Sequence, residues 1–223
     1  MNNSRSRQES LILCPVSGQS LNEERFNTIT HLFGFILSLI GISYLMWLSI
    51  LSTNILAMIS SSIYGITLIM LYGASTFYHG CKTPDQKKIL KIVDHACIYL
   101  LIAGSYTPFT LGPLKDFGGL DILGIEWAIA TIGITLKIYA VEKFQILSLL
   151  AYLAMGWLVI FSYNTLVEQM PPHATQLLFI GGLSYTLGTI FYVWDKLPFN
   201  HGIWHLFVLG GSVSHYFCVL SLI

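Results

Sequence analysis

This sequence is short of charge and has no cysteine framework. Only 10% of its 223 residues are charged, against 54% hydrophobic, whereas soluble domains carry about 25% charged residues. That shortage excludes an ordinary soluble fold. The 11 basic and 11 acidic residues cancel, which leaves no electrostatic basis for binding nucleic acid. Cys14, Cys81, Cys97 and Cys218 are scattered without CxxC spacing. Three of them lie in or beside apolar segments and read as small packing residues. No cleavable leader is expected either: residues 1–25 are polar and the first apolar run is too long for a signal core. The first helix is therefore expected to act as its own insertion signal.

What is present is a series of long apolar runs, approximately over 26–50, 55–79, 92–111, 122–140, 145–166, 175–194 and 202–223. Each is close to the roughly 20 residues that a bilayer's hydrocarbon core requires of a helix. The expected fold is an all-α membrane protein, a seven-transmembrane-helix bundle over 26–223 behind a cytoplasmic tail of residues 1–25. Polar turns separate the runs: Ser52-Thr53-Asn54, the lysine-rich stretch Cys81–Lys91, the glycine- and aspartate-bearing Gly112–Asp121, then Pro171-Pro172 and Leu197-Pro198. The least marked boundary is at Glu142-Lys143.

Lysine and arginine set the expected direction. With the N-terminus inside, Arg5, Arg7, Arg25, Lys82, Lys87, Lys88, Lys91, Lys137, Lys143 and Lys196 all fall inside, and only Lys115 falls outside. Ten of eleven on one side predicts a cytoplasmic N-terminus and an extracytoplasmic C-terminus. This is the opposite orientation to the seven-helix receptors that couple to G proteins.

The direction also assigns depths to the polar residues inside the runs. His79 comes at the cytoplasmic end of the second helix, and Asp94 and His95 come early in the third. His201 and His205 lie in the first turns of the seventh, and His31 lies about two turns into the first. His201 and His205, at i and i+4, share one helix face and can share a metal ion. Chance can produce that spacing; its convergence in depth with His79 is what gives it weight. Three imidazoles with an open fourth position suit catalytic zinc, Zn2+. Asp94 is then placed to accept the proton of an activated water. Ser75, four residues before His79 on the same face, can hydrogen-bond that water or a developing oxyanion.

Plainer readings stand beside these. His31, His95 and His215 can be packed core residues, and His215 lies roughly 15 Å beyond His205 along its helix, too far for the same ion. His173 sits in a loop beside Pro172. Asp94 can pair with Arg25 or Lys91, Ser75 can be a helix-contact serine, and Cys81 is the nearest thiol to a fourth ligand position. Trp47, Trp127 and Trp157 read as interface anchors or packing.

Three motifs carry a family resemblance: Ser75-Thr76-Phe77-Tyr78-His79, Asp94 followed by Gly104-Ser105-Tyr106-Thr107-Pro108, and His201-Gly202-Ile203-Trp204-His205. With Glu24-Arg25-Phe26-Asn27-Thr28-Ile29-Thr30-His31 at the entry to the first helix, they closely resemble the hemolysin III branch of the progestin and adipoQ receptor family. The resemblance covers about residues 22–223. It implies a zinc ion on His79, His201 and His205 near the cytoplasmic face, with Asp94 and Ser75 beside it. It also implies kinship with membrane metal-dependent hydrolases, membrane lipids as partners, and a multi-pass place in the bacterial inner membrane. The expected function is hydrolysis of a lipid amide or ester in membrane lipid homeostasis. The alternative is a non-enzymatic, zinc-stabilised sensor, receptor or homeostasis factor. A cytolytic pore fits less well, because an integral seven-helix chain is not readily delivered to a foreign membrane.

Overall fold

The computed structural model describes residues 13–223. Arg5 and Arg7, with the first part of the 1–25 tail, lie outside the described residues. Among the described residues seven helices are long and apolar enough to cross a bilayer: α1 (Leu21–Leu51), α2 (Ile55–Gly80), α3 (Pro84–Leu111), α4 (Gly119–Ala140), α5 (Gln145–Gln169), α6 (Pro172–Tyr192) and α7 (Asn200–Leu220). Among the described residues there is no strand, only an isolated bridge between Leu13 and Ser20. The chain is an all-helical, multi-pass integral membrane protein.

The sequence distributes its side chains as a bilayer demands. On α1, Ile29, Phe33, Ile36 and Ile40 are exposed, while Asn27, Thr30, His31, Gly34 and Ser38 are buried. Apolar groups thus face outward to lipid, and small or polar groups face other helices. Without a hydrophobic drive between helices in lipid, close packing and interhelical hydrogen bonds hold the bundle together. On α4 one stripe is buried, Glu126, Ala130, Gly133 and Lys137, at the three- and four-residue spacing of a single helix face. Gly133 is required there, since a Cβ would stand 2.3 Å from the Tyr99 ring of α3.

Consecutive helices α1 to α4 pack side by side, α6 packs on α7, and α7 returns against α1. The loosest member is α5. Its two α-helical pieces, Gln145–Trp157 and Tyr163–Gln169, are joined by a 3-10 turn over Leu158–Ser162. A backbone break inside a membrane leaves polar groups that need partners. The Tyr106 hydroxyl from α3 supplies them, donating to the Met155 carbonyl at 2.7 Å and accepting from the Val159 N–H at 2.8 Å. The break therefore has a cause in an inserted side chain.

Five helices begin before their apolar runs do, and two of them by more than one turn. α1 starts at Leu21, where Ser20 and Glu23 form a capping box. α3 starts at Pro84, so most of the stretch Cys81–Lys91 is helix and not a turn. Hydropathy marks what is immersed in hydrocarbon, and a helix whose first turns are capped and charged extends beyond it.

Candidate metal centre

The C-terminal turns of α2 and the N-terminal turns of α7 meet at one end of the bundle, with α1 between them. Gly202 permits that meeting: a Cβ there would stand 2.2 Å from Phe26 and 2.9 Å from the Asn27 side chain. The close approach sets His79, His201 and His205 together, with one ring nitrogen of each within 4.8 Å of the others. Two nitrogens on one zinc lie no more than about 4.2 Å apart, twice the Zn–N bond, so little movement separates this arrangement from a ligating one. His79 and His205 are buried, and His201 is half-buried.

Two of the rings are held in the tautomer that a metal needs. His79 Nδ1 lies 2.8 Å from Glu24 Oε2. A carboxylate only accepts, so Nδ1 carries the proton and Nε2 keeps its lone pair. That Nε2 is buried and has no hydrogen-bond partner. Thr30 of α1 does the same for His205. Its hydroxyl donates to the Asn27 carbonyl at 2.9 Å and so accepts from His205 Nδ1 at 3.2 Å. A carboxylate or hydroxyl behind a ligating histidine fixes ring orientation and raises its basicity. His201 has no such partner among the described residues; its ring stands against Tyr192, with centroids 5.9 Å apart.

Glu24 is itself held. Its other oxygen accepts from Lys87 Nζ at 3.0 Å and from the Ser17 hydroxyl. Lys87, only 2% exposed, also donates to the carbonyls of Tyr78 at 2.9 Å and His79 at 3.2 Å. Both lie in the last turn of α2, where the Tyr78 carbonyl has only a long 3.4 Å bond from the Cys81 N–H. One ammonium thus caps the helix that carries His79 and neutralises the carboxylate that orients it.

Asp94 is buried and takes part in none of the ion pairs among the described residues. The two partners expected for it go elsewhere. Arg25 is exposed, and Lys91 pairs with Glu142 at 2.6 Å and with the Val16 carbonyl at 3.2 Å. Ser75 Oγ is buried without a hydrogen-bond partner. Both residues, with His201 and His205, line a cavity of about 140 Å³ that runs from the histidines down the middle of the bundle. Most of its wall is apolar, and α5 closes one side of it.

The remaining singled-out residues divide. His31 stacks on His205, with centroids 3.4 Å apart and planes 13° apart, and both its ring nitrogens are buried without partners. His95 is buried and lines the cavity. His215 donates to the Leu178 carbonyl at 3.1 Å, away from the cluster, and His173 is exposed. Cys81 stands outside the cluster, its thiol 3.6 Å from the Thr83 carbonyl. Trp157 donates to Thr186 at 2.9 Å and lines the cavity.

Glu24, Thr30 and Lys87 were not singled out as site residues by sequence reasoning. A signal for the first two existed: Glu24, Asn27, Thr30 and His31 recur on one helix face, which makes α1 polar on its inner side. Lys87 gave no signal, because it reads as one lysine of an exposed turn.

A profile of the family described as "Haemolysin-III related" matches residues 19–216. The chain is 44% identical over 201 residues to the "Hemolysin-3 homolog" of Bacillus subtilis (strain 168), covering 90% of this chain and 94% of that protein. It is 44% identical over 202 residues to "Hemolysin-3" of Bacillus cereus, covering 91% and 92%. The human "Monocyte to macrophage differentiation factor" is 32% identical over 212 residues, covering 88% of this chain and 83% of that protein.

Proposed function

The chain belongs to the haemolysin-III related family, and on that footing we propose that it is a zinc-dependent hydrolase of membrane lipids, cleaving an amide or ester as part of lipid homeostasis. One observation carries the reading: three imidazoles cluster with two of them tautomer-locked from behind, and two of the three, His201 and His205, line an apolar cavity together with a buried Asp94 that makes no ion pair among the described residues. Tris-imidazole donors with room for a further ligand fit zinc better than the hard cations, which take oxygen ligands. In this reading the N-terminus is cytoplasmic and the C-terminus extracytoplasmic, as the distribution of Lys and Arg favours. The site then faces the inner leaflet of the bacterial plasma membrane.

When bound, zinc supplies Lewis acidity that lowers the pKa of a water and polarises a carbonyl. The protein's part is positional. Asp94 takes the proton of the attacking water and returns it to the leaving amine or alkoxide, so that a lipid amide or ester and water become a fatty acid and an amine or alcohol. The Ser75 hydroxyl donates to the carbonyl oxygen as negative charge grows on it. The cavity wall holds the hydrocarbon chain and excludes bulk water. The test is lipid-amide and lipid-ester turnover by the purified protein in nanodiscs. Asp94→Asn should keep the metal and lose turnover by about 100-fold or more, the scale of general acid–base catalysis. Full turnover in that variant removes Asp94 from the mechanism.

A second reading has its own support. Glu24 and Thr30 tie α1 to the histidines of α2 and α7, so a metal there can pin three helices together in a sensor without chemistry. Metal bound in stoichiometric amount with no turnover of any cellular lipid extract selects that reading. In either case, lysis of the kind named in the Bacillus relatives would follow indirectly from altered membrane lipids.

A further inference from the structure

Lys137 has no part in the chemistry above, yet among the described residues it is the only lysine or arginine that lines the cavity. It lies in the last turn of α4 and is 2% exposed. It makes none of the ion pairs found among the described residues. Its depth follows from packing. Gly133 sits on the Tyr99 ring, and α3 and α4 run antiparallel, so one turn further along α4 brings Lys137 level with His95 and Asp94. On the facing helix, Tyr152 donates to the His95 carbonyl at 2.9 Å at this same level, and Gln145 and Ser148 join it on the cavity wall.

A buried ammonium without a partner is a costly arrangement. Lysines near helix ends usually escape it by extending the side chain to water, whereas only 2% of this one is exposed. The helix C-terminus offers it some compensation, and Asp94, the one acid that lines the cavity among the described residues, is not paired with it. Beyond this polar level most of the wall is hydrocarbon and aromatic, including Leu101, Ile102, Phe109, Val159, Leu178 and Phe179, with Ser105, Thr186 and His215 interspersed. A cation at one end of an apolar channel is complementary to an anion at one end of a hydrocarbon chain.

We infer that Lys137 binds the anionic group, carboxylate or phosphate, of an amphiphile whose hydrocarbon chain occupies the cavity. The inference rests on the proposed function only in taking a lipid as the occupant; it does not require that the lipid be cleaved. It selects acidic lipids, or the fatty acid that hydrolysis would release, over neutral ones of the same length.

Equilibrium binding to the full-length protein in zwitterionic nanodiscs tests it, with three probes: a long-chain fatty acid, the primary alcohol of the same chain, and acetate. Wild type, Lys137→Gln and Lys137→Arg are compared at alkaline pH, each with metal and after chelation. The fatty acid should bind roughly 10- to 100-fold more tightly than the alcohol, the range of one charge-assisted hydrogen bond. Acetate should not compete, because the chain supplies most of the affinity. Lys137→Gln should erase the preference while leaving alcohol binding unchanged, and Lys137→Arg should keep it. The preference should persist in chelated wild type, a measurement that stands even if Lys137→Gln does not fold. Equal binding of acid and alcohol, a preference that disappears on chelation, or competition by acetate at comparable concentration would each overturn the assignment. Absence of turnover with the charge preference intact defeats the hydrolase reading and leaves this one standing.

Discussion

The two ends of the bundle handle buried polarity in opposite ways. At the histidine end, buried side-chain atoms without partners belong to neighbouring residues: His79 Nε2, both nitrogens of His31 and Ser75 Oγ. Around them stand paired groups, with Glu24 on His79, Lys87 on Glu24 and Thr30 on His205. Elsewhere the partnerless atoms are scattered singly over different helices: Tyr64 on α2, Glu126 on α4, Thr175 on α6 and His215 on α7. Of these only His215 is oriented from a neighbouring helix, by the Leu178 carbonyl. A buried polar atom alone says little; several that converge beside rings whose direction a partner fixes describe a site. Lone groups in a membrane interior are more simply interhelical contacts or neutralised residues.

That contrast can be attacked first at Glu24. Glu24→Ala leaves Lys87 buried and unpaired and frees the His79 ring, so it should cost about 3–5 kcal/mol of stability in thermal or denaturant unfolding. Metal affinity should fall with it, by roughly 10- to 100-fold. A variant that unfolds like wild type and binds metal equally well would dissolve the distinction between the two ends. Thr30→Val is milder. It removes only the acceptor behind His205, and competition with a calibrated chelator should show affinity lower by about tenfold, the lower bound for loss of such a partner.

Tyr106→Phe probes a structural use of polarity at the opposite end. Losing the hydroxyl strands the Val159 N–H at the break in α5 and leaves the Met155 carbonyl with the Leu158 N–H, at a cost of about 1–3 kcal/mol. Metal content should not change. The smallest effect is expected at Glu126, which is fully buried with both carboxylate oxygens unpartnered. Glu126→Gln keeps the shape and removes any need to suppress a charge, so stability should stay within about 0.5 kcal/mol or rise. A loss as large as that of Glu24→Ala would mean that Glu126 belongs to a site as well.

Much of this was legible in the sequence, and for identifiable reasons. The seven spans follow from hydropathy, because lipid imposes a helix length. The histidine cluster follows from the i, i+4 spacing of His201 and His205 and from the depth that His79 shares with them. The break in α5 at Leu158–Ser162 was not legible, since Trp157 to Phe161 is continuous apolar sequence and its cause is a tyrosine on another helix. Lys87 was hidden for a related reason: composition places it in a polar turn, and only the end of α2 folding onto α3 draws it inside. The same holds for Lys137, where nothing short of helix register distinguishes a lysine in a cavity from one at the membrane surface.

Zinc content, measured by elemental analysis on the purified protein, bears most directly on whether the three histidines form one metal centre. Wild type should carry zinc in stoichiometric amount, and His79→Ala and His205→Ala should each lose nearly all of it while remaining folded by circular dichroism. A wild type purified without chelator that carries no metal and takes up none, or a His79→Ala/His205→Ala double variant that still holds zinc, would contradict the assignment.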